Sequence, residues 1–394
     1  MRSFTVVDLF SGCGMFSLAF KEAGFNVTCA VEIDKSAADT YATNHPNTII
    51  LVGDIRTVKR DLFDYFPQGV DVVIGGPPCR SFSPSGLRGS TDSRGQLYKE
   101  YIDVVKHMRP KAFVMENVKG LLSMKHLMPG ANNEAASRYA TNISRYKSLR
   151  QSISQKKGRT SYEEVREFES LKTLYPSYKR KLSVLLARVP LLIINEFKKI
   201  GYPTTYKVLN AVNFGVPQKR ERVFFIGLRD KNAVEANPFP IETHANVKKF
   251  QTLDVAMGTT KKKPWVTARE AIGDIADALE DEEFSHVFTK HKKETIEKIK
   301  KLQPGKSLYG YGEAWYRIIA SEPTPTAKEN HSGTFVHFEK HRTVSARELA
   351  RIQSIPDYYR FCGSKKSVLH QIGDCVPFLL GKAIALAIKK HLQD

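Results

Sequence analysis

Through the first third of the chain, runs of Val, Ile and other apolar residues alternate with segments whose apolar positions recur every three or four residues. This pattern predicts strands at Thr5–Phe10, Asn26–Val31, Thr48–Val52, Val70–Ile74 and Ala112–Glu116, with helices at Phe16–Ala23, Ser36–Asn44 and Tyr98–Met108. Near-continuous apolar strands separated by helices argue for an α/β fold, a mostly parallel sheet with helices on both faces. From about 129 to 188 the chain turns polar and basic, with a helical stretch near Glu163–Leu174. We read it as an insertion, either a solvated helical hairpin or an arm that contacts nucleic acid. The alternation returns with a helix at Leu191–Ile200 and strands at Thr205–Ala211 and Arg222–Leu228, then is lost again from Arg229 to His341. That span, with lysine clusters and both tryptophans, reads as a smaller, irregular second domain. Helices at Ser345–Gln353 and Pro377–His391 return to the first. The expected organisation is therefore 1–228 plus 342–394, interrupted by 129–188, and a separate 229–341.

Charge narrows the range of partners. The 394 residues carry a formal net charge of +20 and a pI of about 9.6, which favours a polyanion, nucleic acid before a membrane surface. No run approaches the ~20 apolar residues of a membrane span, and the start does not resemble a signal peptide. The five cysteines, at 13, 29, 79, 362 and 375, show no CxxC or Cys/His ligand spacing. Disulfides and structural zinc are therefore disfavoured, and a reducing cytosol is expected.

The candidate chemistry gathers at strand ends. Asp8-Leu9-Phe10-Ser11-Gly12-Cys13-Gly14 lies where the first strand meets the first helix, the place where such sheets bind cofactors. The second strand ends at Glu32 and the third runs into Asp54. Ser17 stands where a dinucleotide fingerprint has its third glycine, so a pyrophosphate ligand is disfavoured. Three acidic strand ends suit a cofactor with ribose, adenine and a cationic end, such as S-adenosylmethionine, although each could simply cap a turn. Gly75-Gly76-Pro77-Pro78-Cys79 offers a thiol on a stiff loop after a strand. Glu116 ends the next strand. Arg220 and Arg222, two residues apart before the Val223 strand, point to one side of an extended chain, where they could both face a polar substrate or form a solvated basic edge strand.

These blocks resemble the DNA (cytosine-5) methyltransferases along nearly the whole chain. The matches run in family order: Asp8–Gly14; Glu32-Ile33-Asp34; Gly53-Asp54-Ile55; Gly75–Ser83 with Pro78-Cys79; Glu116-Asn117-Val118; Gln218–Arg222; Arg347–Gln353; and Gln371–Pro377. The resemblance implies a Rossmann-like S-adenosylmethionine-dependent methyltransferase domain, with 229–341 as a target-recognition domain. It makes Cys79 the nucleophile that attacks C6 of a flipped cytosine. Glu116 would hold N3 and the amino group, Arg222 would hold O2, and Arg220 would support the same pocket. The cofactor would be held by Asp8, Phe10, Ser11, Gly12, Gly14, Glu32, Ile33, Asp54, Ile55, Pro78, Asp374 and Val376. Phe10 would stack on the adenine, Glu32 bind the ribose and Asp54 the adenine amino group. The segment Arg80–Gln96 would be a mobile loop closing over DNA, with Arg80, Ser83, Ser85 and Arg94 as DNA contacts and Ser85 entering the gap left by the base. Thr326 would contact the backbone beside it.

The implied reaction needs no metal and yields S-adenosylhomocysteine. The implied partners are duplex DNA and a restriction endonuclease of the same restriction-modification system. The implied setting is a monomer in a prokaryotic cytoplasm, associated with the nucleoid. Three departures stand out: Arg80 where glutamine is usual, Asp374 for asparagine and Ile355 for phenylalanine. Two other readings remain at this stage, an RNA cytosine-5 methyltransferase and a catalytically silent DNA-binding relative. Ser81-Phe82-Ser83 in place of Pro-Phe-Thr and the lack of Cys-Phe-Thr weigh against the first. Intact Cys79, Glu116 and Arg222 weigh against the second.

Overall fold

The computed structural model describes residues 3–78, 97–128, 130–156, 160–230, 237–246, 262–310, 315–327 and 335–393. Its centre is a seven-stranded sheet of β1 (Thr5–Leu9), β2 (Asn26–Glu32), β3 (Ile49–Val52), β4 (Val72–Gly75), β5 (Ala112–Val118), β8 (Thr204–Asn210) and β9 (Glu221–Leu228), in the order β3-β2-β1-β4-β5-β9-β8. The pairs from β3 across to β5 are parallel, and β8 runs antiparallel to β9.

The alternating residues of the central strands are buried on both faces. Val6, Val72, Val114 and Phe224 meet Phe16 and Phe20 of α1 (Met15–Glu22) and Leu380 and Ile384 of a C-terminal helix, α12 (Phe378–Gln393). Their strand neighbours Val7, Val73, Phe113 and Phe225 are equally buried. Each large apolar side chain so buried contributes about 1.5–3 kcal/mol before entropy is counted.

Between the strands lie α2 (Lys35–Asn44), α3 (Ile55–Tyr65) and α4 (Leu97–Met108). The hydrophobic pattern does not reveal α3, because only Ile55 and Leu62 of its residues are buried. Its start is set by Asp54, whose side chain caps the helix at the Arg56 N–H.

A second hydrophobic core joins Ala268 and Ile272 of α8 (Ala268–Ile272), together with Ile318 and Phe335, to α10 (Ala346–Ile352), α11 (Lys365–Asp374) and Met15 of α1. A further helix, α9 (Lys293–Lys301), lies between α8 and α10 in the chain. The span Lys365–Gln393 is long and apolar enough to cross a membrane by length and composition, contrary to the reading of the sequence. Its burial explains the apolarity, since 61% of the apolar window is packed inside the protein.

The chain divides into two compact units, Met1–Pro77 with Asp103–Glu116 and Tyr202–Asp394, and Pro78–Ile102 with Asn117–Gly201. The first holds the sheet and both cores. In the second, β6 (Lys125–Leu127) pairs antiparallel with β7 (Leu186–Arg188), and the chain between them forms two 24-residue helices, α5 (Asn133–Lys156) and α6 (Tyr162–Leu185). The basic insertion is therefore a helical hairpin on a two-stranded base, followed by α7 (Val189–Lys199).

Candidate active site

The strand ends converge as the sequence pattern requires. After β1 the chain turns through Phe10 at φ 58° and Gly12 at φ 55°, and enters α1 from Gly14 at φ 89°. Only glycine fits at Gly14, where a Cβ would lie 2.6 Å from His45 Nε2 and 2.7 Å from Tyr41 Cδ2. At Gly12 a Cβ would meet nothing within 4 Å, so this turn borders open space.

Glu32 closes the turn. Its carboxylate accepts from the N–H of Gly12 at 2.7 Å and from those of Ile33 and Asp34 at 2.9 and 2.8 Å. Burial raises its pKa above the ordinary carboxylate value, against the pull of those N–H groups. The Tyr359 hydroxyl donates to the Cys13 carbonyl, and His45 Nε2 lies 3.1 Å from the same hydroxyl.

Asp8 is placed behind the turn rather than on its open side. It is 1% exposed and accepts from the Ser17 hydroxyl at 2.7 Å, which in turn accepts from Tyr41 at 2.8 Å. Burial pushes its pKa to about 7. Ser17 thus has a positive reason to replace the third glycine: it serves the buried carboxyl. Asp54 carries Arg56, which donates through its backbone N–H and its guanidinium, and this pairing lowers the Asp54 pKa. Ile33 is 68% exposed beside Glu32, whereas Ile55 and Val376 are buried in the protein. Asp374 is exposed at the end of α11. An apolar side chain, carboxylates and a glycine turn around open space form a donor set that fits a ribonucleoside bearing a cationic sulfonium and ammonium.

At the end of β4, Gly75 crosses β1 so closely that a Cβ would lie 2.2 Å from the Leu9 carbonyl oxygen. At Gly76 a Cβ would sit 3.0 Å from Glu116 Oε2. Glu116 Oε1 meets Arg222 Nε at 3.1 Å, and each side chain is only 14% exposed. Burial raises the Glu116 pKa, while Arg222 and Arg220 oppose the rise. The site therefore favours a proton on this carboxyl more than water does.

Arg220 corrects the expectation that the two arginines face a substrate together. It is 1% exposed, and its guanidinium donates to the carbonyls of Ala327, Gly373 and Cys375 at 2.9, 2.7 and 3.2 Å. Burial brings its pKa down to about 10. It precedes β9, so the period of two that governs a strand does not apply to it. It fixes the backbone on both sides of Asp374 and anchors 324–327.

Gln218 completes that anchor. It donates to Gln353 at 3.0 Å and accepts from the Ala327 N–H at 2.9 Å. Thr326 lies in the same segment and donates to the Lys219 carbonyl at 2.8 Å. Cys79, Arg80, Ser83, Ser85 and Arg94 lie outside the described residues, as does the rest of Arg80–Gln96. Pro78, just before them, is exposed. Among the described residues no group of three or more His, Cys, Asp or Glu is placed to hold a metal ion. Reading the sequence missed Tyr359, His45 and Tyr41, whose roles depend on contacts between distant segments and leave no local pattern.

The profile of a family described as C-5 cytosine-specific DNA methylase matches residues 4–133 and 187–390. Among curated relatives, the type II methyltransferase M1.HphI of Haemophilus parahaemolyticus is 32% identical over 98% of this chain and 87% of its own length. M.FnuDI of Fusobacterium nucleatum is 30% identical over 99% and 95%. Among solved structures, a prophage-encoded DNA modification methyltransferase of E. coli has a TM-score of 0.66 at 22% identity, covering 100% of both chains. The Dnmt2 methyltransferase of S. pombe has a TM-score of 0.54 at 17% identity, covering 100% of this chain and 99% of its own.

Proposed function

The chain belongs to the C-5 cytosine-specific DNA methylase family, and from that premise we propose that the protein methylates C5 of a flipped cytosine through a covalent adduct between Cys79 and C6. The observation that carries this reading is the Glu116–Arg222 pair, a shielded carboxyl with a raised pKa beside a guanidinium, under the glycine that leads to Cys79. Cys79 is three residues beyond Gly76, which limits their Cα separation to about 11 Å.

The chemistry follows from the residue types. Cytosine C5 is a weak nucleophile until the Cys79 thiolate adds to C6, which moves the ring electron pair to C5. Glu116 in its protonated form donates to N3 and offsets the charge that builds on the ring, and Arg222 donates to O2. S-adenosylmethionine, when bound, supplies the electrophilic methyl that C5 takes up, leaving S-adenosylhomocysteine. Removal of the C5 proton by a base then breaks the C6–S bond, restoring the aromatic ring and releasing the Cys79 thiolate. The turn at Phe10–Gly14, Glu32, Ile33 and Asp374 would hold the donor. Arg220 would act by positioning the Asp374 backbone.

A base in a stacked duplex is out of reach of the thiol, so it must flip out at a cost of a few kcal/mol. We assign reading of the flanking bases to 229–341, with Thr326 at the DNA backbone, and closure over DNA to the loop that contains Arg80, Ser83, Ser85 and Arg94. The relatives named as type II methyltransferases support a place in a restriction-modification system, with a restriction endonuclease acting on the same site in a prokaryotic cytoplasm. A tritium-transfer assay on duplex DNA and on RNA tests the reading. The parent protein should label DNA only, and Cys79→Ser should label neither. Retained transfer by that variant would remove Cys79 from the mechanism.

A further inference from the structure

Nothing in the methyl-transfer chemistry uses the α5–α6 hairpin, and the family profile stops at 133 and resumes at 187. We propose that this hairpin is a second DNA-binding surface that grips the phosphates of duplex DNA without reading its sequence, an inference that rests on the DNA substrate assigned above.

The fold of the hairpin explains itself without its charges. On α6, Phe168, Leu171, Tyr175, Tyr178, Leu182 and Leu185 follow a spacing of three and four, the seam of a coiled pair. Tyr146 of α5 packs against Phe168 at 5.3 Å and Tyr175 at 4.3 Å, and Tyr139 stacks on Tyr178 at 5.8 Å. Ser161 and Glu164 form a capping box at the start of α6.

The charges point outward and are mainly basic: α5 and α6 carry ten Lys or Arg against five Glu, and the glutamates, Glu134, Glu163, Glu164, Glu167 and Glu169, lie near the starts of the two helices. From Ala135 to Lys156 there are five Lys or Arg and no Asp or Glu, and from Ser170 to Arg188 the count is again five and none. Arg145 pairs with Glu167 and Lys172 with Glu169. Lys147, Arg150, Arg166, Lys179 and Arg180 are exposed and have no carboxylate partner among the described residues. Beyond those glutamates both helices continue without a carboxylate, although i,i+4 pairs of opposite charge stabilise helices and like pairs destabilise them by similar amounts. Retaining these carboxylate-free basic stretches at that cost points to an anionic occupant.

The surface suits a phosphate backbone. Exposed Ser144 and Ser148 add hydroxyl donors among the cations, the mixture that contacts phosphate oxygens in duplex complexes. At about 1.5 Å per residue each helix is ~36 Å long, roughly one turn of duplex DNA. The cations lie on both helices rather than on one tip entering a groove, which matches backbone contact better than base reading.

Two full-length variants test this. One neutralises the five exposed cations named above: Lys147→Gln, Arg150→Gln, Arg166→Gln, Lys179→Gln and Arg180→Gln. The other joins Leu127 to Leu186, which face each other across β6 and β7, through Asn-Gly. Kd is measured against salt for a duplex of about 40 base pairs, with and without the methylation site, together with kcat at saturating DNA. Every phosphate that is no longer neutralised should flatten the log Kd slope by about 0.9, so both variants should bind about tenfold or more weakly near 0.15 M salt, with a slope lower by up to about 4.5 when five cations are neutralised and with kcat unchanged. Parental Kd and slope in both variants would overturn the proposal and leave an acidic protein as the occupant. Weakening confined to the site-containing duplex would overturn its sequence independence. Methyl transfer by the parent is read in the same samples, so failure of the underlying activity is distinguishable from failure of the hairpin.

Discussion

Arg220, just before β9, commits its guanidinium to three main-chain carbonyls, and Arg222 commits its own to Glu116. Arg150 and Arg180 on the hairpin are exposed and have no carboxylate partner among the described residues. The strand-edge site and the hairpin are both basic, yet they use charge in opposite ways. At the strand edge, burial makes an unpaired charge too costly, so each cation holds a neighbour in place. On the hairpin, water solvates the exposed charge and leaves it available to a polyanion. Disturbing the first region should therefore change rate or stability. Disturbing the second should change salt-dependent binding and little else.

The largest effect short of removing the nucleophile should come from Glu116→Gln, which keeps the shape but cannot supply a proton. It should lower kcat by about 10²- to 10³-fold in a tritium-transfer assay. The sign of the pH dependence follows from burial. The Glu116 pKa is raised, so the proton-donating form prevails at low pH and is lost as pH rises through a value above the ordinary carboxylate range. The parent kcat/KM profile should show that limb, and the glutamine variant should lose it. An identical limb in both would detach it from Glu116.

Arg220→Met should next separate anchoring from catalysis. It leaves three carbonyls without their donor and should cost about 3 kcal/mol of stability in thermal unfolding, whereas Arg222→Met should cost more in rate than in stability. Equal effects of the two would erase the distinction drawn between them.

Asp8→Asn probes the buried side of the glycine turn after β1. The folded pKa of Asp8, about 7, is raised above its unfolded value, so its contribution to stability is complete below pH ~4 and is lost as pH rises through 7. His45 acts at the other end. Its pKa is lowered to about 3 by burial, so its contribution is present above pH ~6.5 and is lost as pH falls. Denaturant titrations from pH 5 to 8 should show a decline in the parent that Asp8→Asn reduces, and an unchanged slope would count against a buried, protonated Asp8. The smallest effect belongs to the hairpin. Ser161→Ala removes the α6 cap, should cost about 1 kcal/mol there, and should leave kcat as it was.

The same contrast between local and distant contacts decides how much was legible in the sequence. The parallel strands were readable because both their faces are buried, so β1, β2, β4 and β5 appear as apolar runs. The glycine turn and the Glu116 and Arg222 positions were readable because their chemistry lies at strand ends. Helix α3 was not, since it buries only Ile55 and Leu62. Arg220 was misread because strand periodicity was carried past the end of β9, where three carbonyls from other segments determine its direction. Asp8 was counted with the open acidic strand ends, although Ser17 turns it inward. Tyr359 and His45 reach the glycine turn after β1 from residues far along the chain, and no local spacing announces them. For the 129–188 insertion, the sequence left a solvated hairpin and a nucleic-acid arm open; the structure adds the seam, the base and a mainly basic outer surface.

The most direct test of the central claim is to trap the adduct. A duplex with 5-fluorocytosine at the methylated position cannot lose fluorine as it would a proton, so a thiol that has added to C6 stays attached after methylation. Incubated with such DNA and S-adenosylmethionine, the parent protein should yield a single DNA-linked peptide by mass spectrometry, the one containing Cys79, and Cys79→Ser should yield none. An adduct on Cys13, Cys29, Cys362 or Cys375, or methyl transfer with no adduct at all, would contradict the account.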